Sequence, residues 1–401
     1  SEIYWSNKST DTSQESPAGQ DVPNFYIDDA YGMRVYLGAD IYRSANKLAT
    51  ETDFFKGKLT YYTGDHKITA GYEQTSYDIY NVFIVAQDGS WEFDTLADYE
   101  AGVASSFFAN NAKTGTVEDA AAAFEYGLTS FYLMDEYAYS DRLSLTAGIR
   151  YDEYDSDDDP AKNAAFESTY GFANAGIAGT DLLNIRLGMD LVIDEVSDIN
   201  VTYGTYSAKL PAVWISNAYT NDGVRVSAYS SSNAAAGCNP LTSAGSGLPA
   251  CVQDAIKNAP LTDSKIDFIA PSFEWPDSRI LNITYERDLP RDMDMTVTYL
   301  KSKQEEALYK VIDTGYPLNG DIPTVPTEVA PDGRPIYNMT GRRTYKAGLY
   351  NDCCGEREVI SATLNKSFRG GDTVVSLSYT GQDSTDLNGM TSSTSNSNYG
   401  K

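Results

Sequence analysis

The chain has 401 residues with 30 Lys+Arg against 57 Asp+Glu, a formal net charge of −27 and a pI near 4.3, which leaves no basic stripe for phosphate and excludes nucleic acid as a partner. Hydrophobic residues make up 41% and mean hydropathy is −0.40; no apolar run reaches roughly 18 residues, so no helix is expected to cross a membrane. The four cysteines, Cys238, Cys251, Cys353 and Cys354, are too few for a disulfide scaffold, and a histidine zinc site or a Ser/His/Asp triad would have to be built on the single histidine, His66, so no enzyme activity, metal or cofactor is expected.

Along the chain, apolar and polar residues alternate at a period of two in segments of about ten residues, the mark of strands with one greasy face. The first runs through Tyr31, Met33, Val35, Leu37, Ala39 and Ile41 against Gly32, Arg34, Tyr36, Gly38 and Asp40. Ile68, Ala70 and Tyr72 follow, then Leu143, Leu145, Ala147, Ile149 and Tyr151, and then Leu183, Ile185, Leu187, Met189, Leu191 and Ile193. Later series are Ile199, Val201, Tyr203; Leu281, Ile283, Tyr285; Met293, Met295, Val297, Tyr299; and Val375, Leu377, Tyr379. About eleven strands are counted in this way, with two more expected in the opening residues and within 342–350.

Alternation also suits a soluble sandwich, so the connections decide. Short links at 63–65, 140–141, 194–197, 287–291 and 367–371 take turns with long polar segments at 78–126, 155–180, 207–277 and 302–355. That order fits an all-β, transmembrane antiparallel β-barrel with tight turns on one side and long extracellular loops on the other. The chain closes on a Ser-rich stretch rather than a strand ending in an aromatic, and the expectation is a partial barrel: interior strands of a larger up-and-down one. Tyr72, Tyr151, Tyr203, Tyr299 and Tyr379 end apolar faces near long loops and Tyr285 near a short turn, as interfacial girdles would, though tyrosine also simply favours strands. Gly71, Gly148, Gly188 and Gly204 share the polar face, either for close approach of another backbone or for bending of the sheet.

The strand texts HKITAGYEQ, FYLMDEYAYSDRLSLTAGIRYDEY and LNITYERDLPRDMDMTVTYLKSK resemble the barrel of TonB-dependent outer-membrane receptors. The middle one is the most specific, through Phe131, Tyr132, Asp135, Asp141, Leu143, Leu145, Gly148, Arg150, Tyr151 and Asp152. TLNKSFRGGDTVVSLSYTGQDSTD looks most like the Oar-like branch of that family. The resemblance covers most of 1–401 through barrel strands alone, so a plug domain and C-terminal strands are expected outside this chain. It implies a place in the cell outer membrane among its lipid, and TonB-energised uptake of a scarce solute (siderophore, oligosaccharide or peptide), with the TonB complex engaged through the plug. The alternative is a non-transporting surface barrel acting in adhesion, or in partner or calcium binding, through its external loops.

Ligand contacts are expected in the loops. Trp214, Asn217, Tyr219 and Asn221 in one segment, with Phe273, Trp275 and Asp277 in another, offer rings for stacking and amides for hydrogen bonding, against the plainer role of packing the loop base. Asp155, Asp157, Asp158 and Asp159 could chelate calcium but lack the glycine and closing glutamate of an EF-hand, and suit a solvated loop tip. Cys238 and Cys251 are a candidate disulfide within the longest loop; Cys353 and Cys354 admit several fates. His66 suits a turn better than a ligand set.

Overall fold

The structure is a computed structural model that describes residues 1–13, 22–28, 31–177, 179–207, 210–231, 237–245, 247–261, 266–311, 318–319, 322–323, 328–331, 333, 335–336, 346–387 and 392. In chain order the strands are Glu2–Ser13 (β1), Asn24–Asp28 (β2), Arg34–Gly38 (β3), Ala45–Thr63 (β4), His66–Ile84 (β5), Ser90–Phe93 (β6) and Ser106–Ala112 (β7). Ala122–Ser140 (β8), Leu143–Asp155 (β9), Thr180–Asp194 (β10), Ser197–Ser207 (β11), Val226–Ser230 (β12) and Ile266–Ile269 (β13) come next. Then follow Asp277–Leu289 (β14), Met293–Val311 (β15), two short ladders of Leu318–Asn319 (β16) with Ile322–Pro323 (β17) and Glu328–Val329 (β18) with Pro335–Ile336 (β19), and finally Lys346–Phe368 (β20) and Thr373–Thr385 (β21). Helices Leu96–Ala101 (α1), Ala164–Tyr170 (α2), Ala212–Thr220 (α3) and Ala250–Lys257 (α4) lie between strands.

One twelve-stranded sheet runs β1-β4-β5-β8-β9-β10-β11-β14-β15-β20, with β21 and β13 both on β20. Every pairing in it is antiparallel except that of β13, which lies parallel to Lys346–Leu349. The opening residues do form a strand, β1, and Lys346 onward does form β20. Four of the five short links are turns and the fifth is a short 3-10 helix, Arg369–Gly371, while the long segments stand between β5 and β8, β9 and β10, β11 and β14, and β15 and β20. Among the described residues the sheet is open, with β1 at one edge and β21 and the short β13, both beside β20, at the other.

The strands exceed the expected length: β4, β5, β8 and β15 have 19 residues each and β20 has 23. Crossing hydrocarbon takes only about 9–11 tilted residues, so these hairpins project well beyond it and carry the loops outward. That lengthening relocates three tyrosines. Tyr72, Tyr299 and Tyr379 stand near mid-strand, and only Tyr151 and Tyr203 are close to a loop end. Tyr285 is near the short turn, as expected. The rings still share a level: Phe55, Tyr72 and Phe131 form a row at centroid spacings of 6.3 and 5.2 Å, and Tyr151 is the register partner of Phe131.

The run from Tyr31 to Ile41 is not a strand of the large sheet. Only Arg34–Gly38 is extended, and it pairs with β2 in a separate five-stranded sheet of order β12-β7-β6-β2-β3. Gly38 takes φ +81° against the Pro23 carbonyl, and Asp40 Oδ1 accepts the Tyr42 N–H at 2.8 Å; this turn ends the alternation after five residues. The small sheet draws its strands from three different loops, and around it gather Trp91, Phe93, Phe107, Tyr229 and the α4 residues Val252 and Ile256. The loops expected to be merely long and polar thus contain much of the chain's dry core. The wall strands bare Leu59, Leu133, Ile149, Leu183, Ile360 and Leu377, the face that meets lipid.

The polar-face glycines divide: a Cβ at Gly148 or Gly204 would come against a neighbouring strand's carbonyl, of Leu133 at 3.4 Å and Ile185 at 3.1 Å, as well as against side chains, while Gly71 and Gly188 face side chains. Gly71 lies opposite Tyr132 in register, and a Cβ there would fall inside the Tyr132 ring; at Gly188 the nearest side chain is Thr146, at 3.2 Å. Gly71 and Gly188 each make room for a neighbouring strand's side chain, and at Gly71 an aromatic covers the strand glycine. Gly71→Val is therefore expected to destabilise the barrel by about 1–3 kcal/mol, with Tyr132→Ala restoring part of the loss, as read from unfolding midpoints of the protein in detergent.

Candidate functional site

The inward face of the wall changes character along its height. Low on it stand Lys56, Lys58, Glu73 and Arg150, polar and ion-paired. Higher up, on the same parity of β5, β8 and β9, stand Tyr77, Ile79, Phe124, Tyr126 and Tyr154, and these pack under the loops. From the loops come Phe166 of α2, Ile215 and Tyr219 of α3, and Phe268 of β13. A cavity of about 410 Å³ lies where polar floor meets apolar roof.

Asp152 organises the floor. Its buried carboxylate accepts from Ser130 Oγ at 2.6 Å, Arg150 Nε at 2.8 Å, Asn184 Nδ2 at 3.1 Å and Ser207 Oγ at 3.0 Å. These four donors sit on β8, β9, β10 and β11, so one acid ties four strands. Arg150 donates further to Glu73 Oε2 at 2.6 Å and Ser130 Oγ at 2.8 Å, and its plane is 6.0 Å from the Tyr132 ring. A charge pair of this kind holds because all three guanidinium nitrogens of Arg150 donate and both Asp152 oxygens accept twice.

The walls and roof are aromatic. Tyr77 stacks on Tyr126 at 4.6 Å, and Tyr154 on Trp275 at 3.8 Å. Leu210 and Ala212, entering α3, complete the cover, while Arg186 lies over the Tyr206 ring at 5.1 Å. Flat surfaces beside hydrogen-bonding hydroxyls, an amide and a cation suit a solute with a ring and a polar rim.

The sequence-nominated residues divide. Trp275 lines this cavity. Tyr219 does not: it is buried, stacked on Phe124 at 4.0 Å, with its hydroxyl donating to the Asp158 carbonyl at 2.9 Å. Asn217 is buried in α3, Asn221 Nδ2 donates to Asp267 Oδ2 at 2.7 Å, and Trp214 Nε1 donates to the Ser392 carbonyl at 3.1 Å. These four hold the roof together rather than facing the cavity. The acidic run is no free tip either, since Asp158 Oδ2 accepts the Glu125 N–H at 2.7 Å. Among the described residues no group of three or more His, Cys, Asp or Glu is placed to hold a metal ion. Cys238 and Cys251 are joined by a disulfide inside the small-sheet core, and Cys353 and Cys354 sit side by side where the register of β15 and β20 shifts. His66, at the first turn, contacts Asp135 Oδ2 at 2.8 Å and stacks on Tyr137 at 4.3 Å.

Long strands with an apolar outer face, tight turns at one end and folded loops at the other set the architecture, and the family model for an outer membrane beta barrel domain matches residues 4–400. The chain belongs to that family. No curated protein matches it. Among solved structures it is similar to the outer membrane transporter YddB from Escherichia coli, at 10% identity and a TM-score of 0.49, over 95% of this chain and 39% of that one. The siderophore receptor PirA from Pseudomonas aeruginosa gives 12% identity and a TM-score of 0.43, over 87% and 44%. The FrpB iron transporter from Neisseria meningitidis gives 10% and 0.43, over 84% and 37%. The chain thus spans 37–44% of the length of these structures.

An outer-membrane barrel carries its long loops outside the cell, which puts the small sheet and the cavity roof on the external side and His66 at the opposite end. Of the residues passed over as ligand contacts, Asn184 and Arg186 share one signal, being polar, inward by parity and near a long loop, whereas Ser207, on the outward parity of β11, reaches the cavity only at the strand's last position. Asp152→Ala in this barrel leaves the buried Ser130 and Asn184 donors without their acceptor. It is expected to cost about 3 kcal/mol, measured by denaturant unfolding in detergent, whereas Asp198→Ala, exposed at the start of β11, should change stability by less than about 0.5 kcal/mol.

Proposed function

We propose that this chain is the barrel portion of a TonB-dependent outer-membrane receptor, of the Oar-like branch, that captures a scarce solute at the cell surface and admits it by energised uptake. Residues 1–401 supply wall strands and external loops; a plug from outside these residues would engage the TonB complex. The reading is carried by the cavity, which opens on the inward face of the barrel and is roofed by loop residues Leu210, Ala212 and Trp275. A wall built only for anchorage needs no roofed polar and aromatic pocket inside it. The solute, of siderophore, oligosaccharide or peptide class, meets Trp275 directly, while Trp214, Asn217, Tyr219 and Asn221 position the roof. Tyr72, Tyr151, Tyr203, Tyr285, Tyr299 and Tyr379 sit at the lipid boundaries, ring inward to the acyl region and hydroxyl toward head groups.

One observation favours an adhesive barrel instead: Tyr31, Tyr36 and Tyr42 stand exposed around the edge strand of the small sheet. The two readings part on energy dependence. Ala212→Cys at the cavity roof is expected to react with a water-soluble maleimide added to intact cells, faster when the membrane is energised than after a protonophore, while Leu183→Cys on the lipid face stays unlabelled. Equal Ala212→Cys labelling in both states would favour adhesion over transport.

A further inference from the structure

In a chain of net charge −27, the cavity lining carries two arginines, Arg150 and Arg186, against one aspartate, Asp152. Arg150 is fully engaged, by Glu73, Asp152 and Ser130. Arg186 is not. Its guanidinium rests on the Tyr206 ring, and no carboxylate lies within ion-pair distance of it among the described residues. Its register partners on both sides are glycines, Gly148 of β9 and Gly204 of β11, so no side chain stands directly across the ladder from the arginine; the Tyr206 ring, two residues along β11, lies over Gly204, and Met134 lies over Gly148. The residue is exposed to the lumen, while the carboxylates that could neutralise the cavity are already bound by their own partners.

We propose that Arg186 is the anion-binding residue of this cavity and that the solute it selects carries a carboxylate on a flat ring. The inference rests on the solute-capture reading above and adds the chemistry of the solute. A guanidinium stacked on a phenol ring keeps its edge N–H groups free, and their fork matches the two oxygens of a carboxylate. With glycines directly across the ladder at 148 and 204, no side chain at the facing positions competes with a ligand for that edge, and Arg186 itself is exposed. Tyr206 beneath the arginine, with the Tyr77–Tyr126 and Tyr154–Trp275 pairs on the walls, offers planar surfaces that a ring attached to the carboxylate would meet. The acidic chain repels anions at long range, so local discrimination has to come from a short-range contact of this kind.

The test is equilibrium dialysis of the intact protein in detergent micelles against labelled benzoate and its neutral isostere benzamide. Benzoate is expected to bind about tenfold tighter, the gain of a charge-assisted hydrogen-bond pair. Arg186→Gln should bring benzoate down to the benzamide level without changing benzamide, and Arg186→Lys should keep part of the preference, which guards against a variant that merely misfolds. Equal binding of the two probes, both lost in Trp275→Ala, would overturn the anion assignment and leave the solute site standing. A preference for benzoate that survives Arg186→Gln would likewise overturn the role of Arg186. Binding of neither probe would overturn this inference together with the cavity-capture reading beneath it.

Discussion

Hydrocarbon offers no water to a peptide group, so each backbone N–H and C=O that enters it has to find its partner on a neighbouring strand. Between the two edges of the large sheet that requirement is met by neighbour-to-neighbour antiparallel pairing, with register shifts among the described residues at three places: Ala138/Ser140, Val192/Asp194 and Gln304/Glu305. A fixed register fixes which residues face lipid, because a slip of one position would exchange every outward leucine for an inward polar group. The inward chemistry follows from the same ladder. Asp152 reaches Ser130, Asn184 and Ser207 only because β8, β9, β10 and β11 are held at one offset.

The strands continue past the depth lipid demands, and there the constraint changes. Above the bilayer the inward positions no longer line a wet lumen but meet loops, and tyrosine, phenylalanine and isoleucine replace lysine and glutamate at the same parity. Ile79, Phe124 and Tyr154 are buried by α2, α3 and β13, so the loops gain their fold from the wall and the wall's upper ends gain a core from the loops. The cavity is a consequence of this transition. Ionic groups below require solvation or pairing, aromatic groups above require cover, and the space between is bounded by both. The small sheet is a second, independent solution to the same problem, with Trp91 hydrogen-bonded to the Pro240 carbonyl at 2.9 Å and a disulfide drawing its outer loop together.

How much of this was legible in the sequence depends on the range of the interaction responsible. Period-two alternation and turn placement are local, and they recovered the antiparallel wall, its turns and its outward face. The run from Tyr31 to Ile41 misled because alternation reports a half-covered surface without saying what covers it: Val35 pairs with Ile27 in a loop sheet, not with a wall strand. Trp214 and Tyr219 stand out by composition, an aromatic next to amides, yet α3 turns them into the roof's own packing. Trp275 came from the same reasoning and does line the cavity, so residue type alone does not separate the two cases.

Arg186 shows what a sharper reading would use. Residue type says only that it is a cation in an acidic chain. Parity places it inward, and the distance to the loop after β11 places it high on the wall. What isolates it is the pair of glycines across the ladder, which lie 38 residues before it and 18 after it in sequence. That relation exists only once the register is known. A charge left without a counter-charge is costly for a folded protein unless water or a ligand reaches it, and the wall keeps this one beside a cavity in which Arg150, two residues along the inward face of the adjacent strand by register, is fully paired. The contrast between those two arginines, one spent on structure and one held open, is where the architecture of the barrel becomes chemistry.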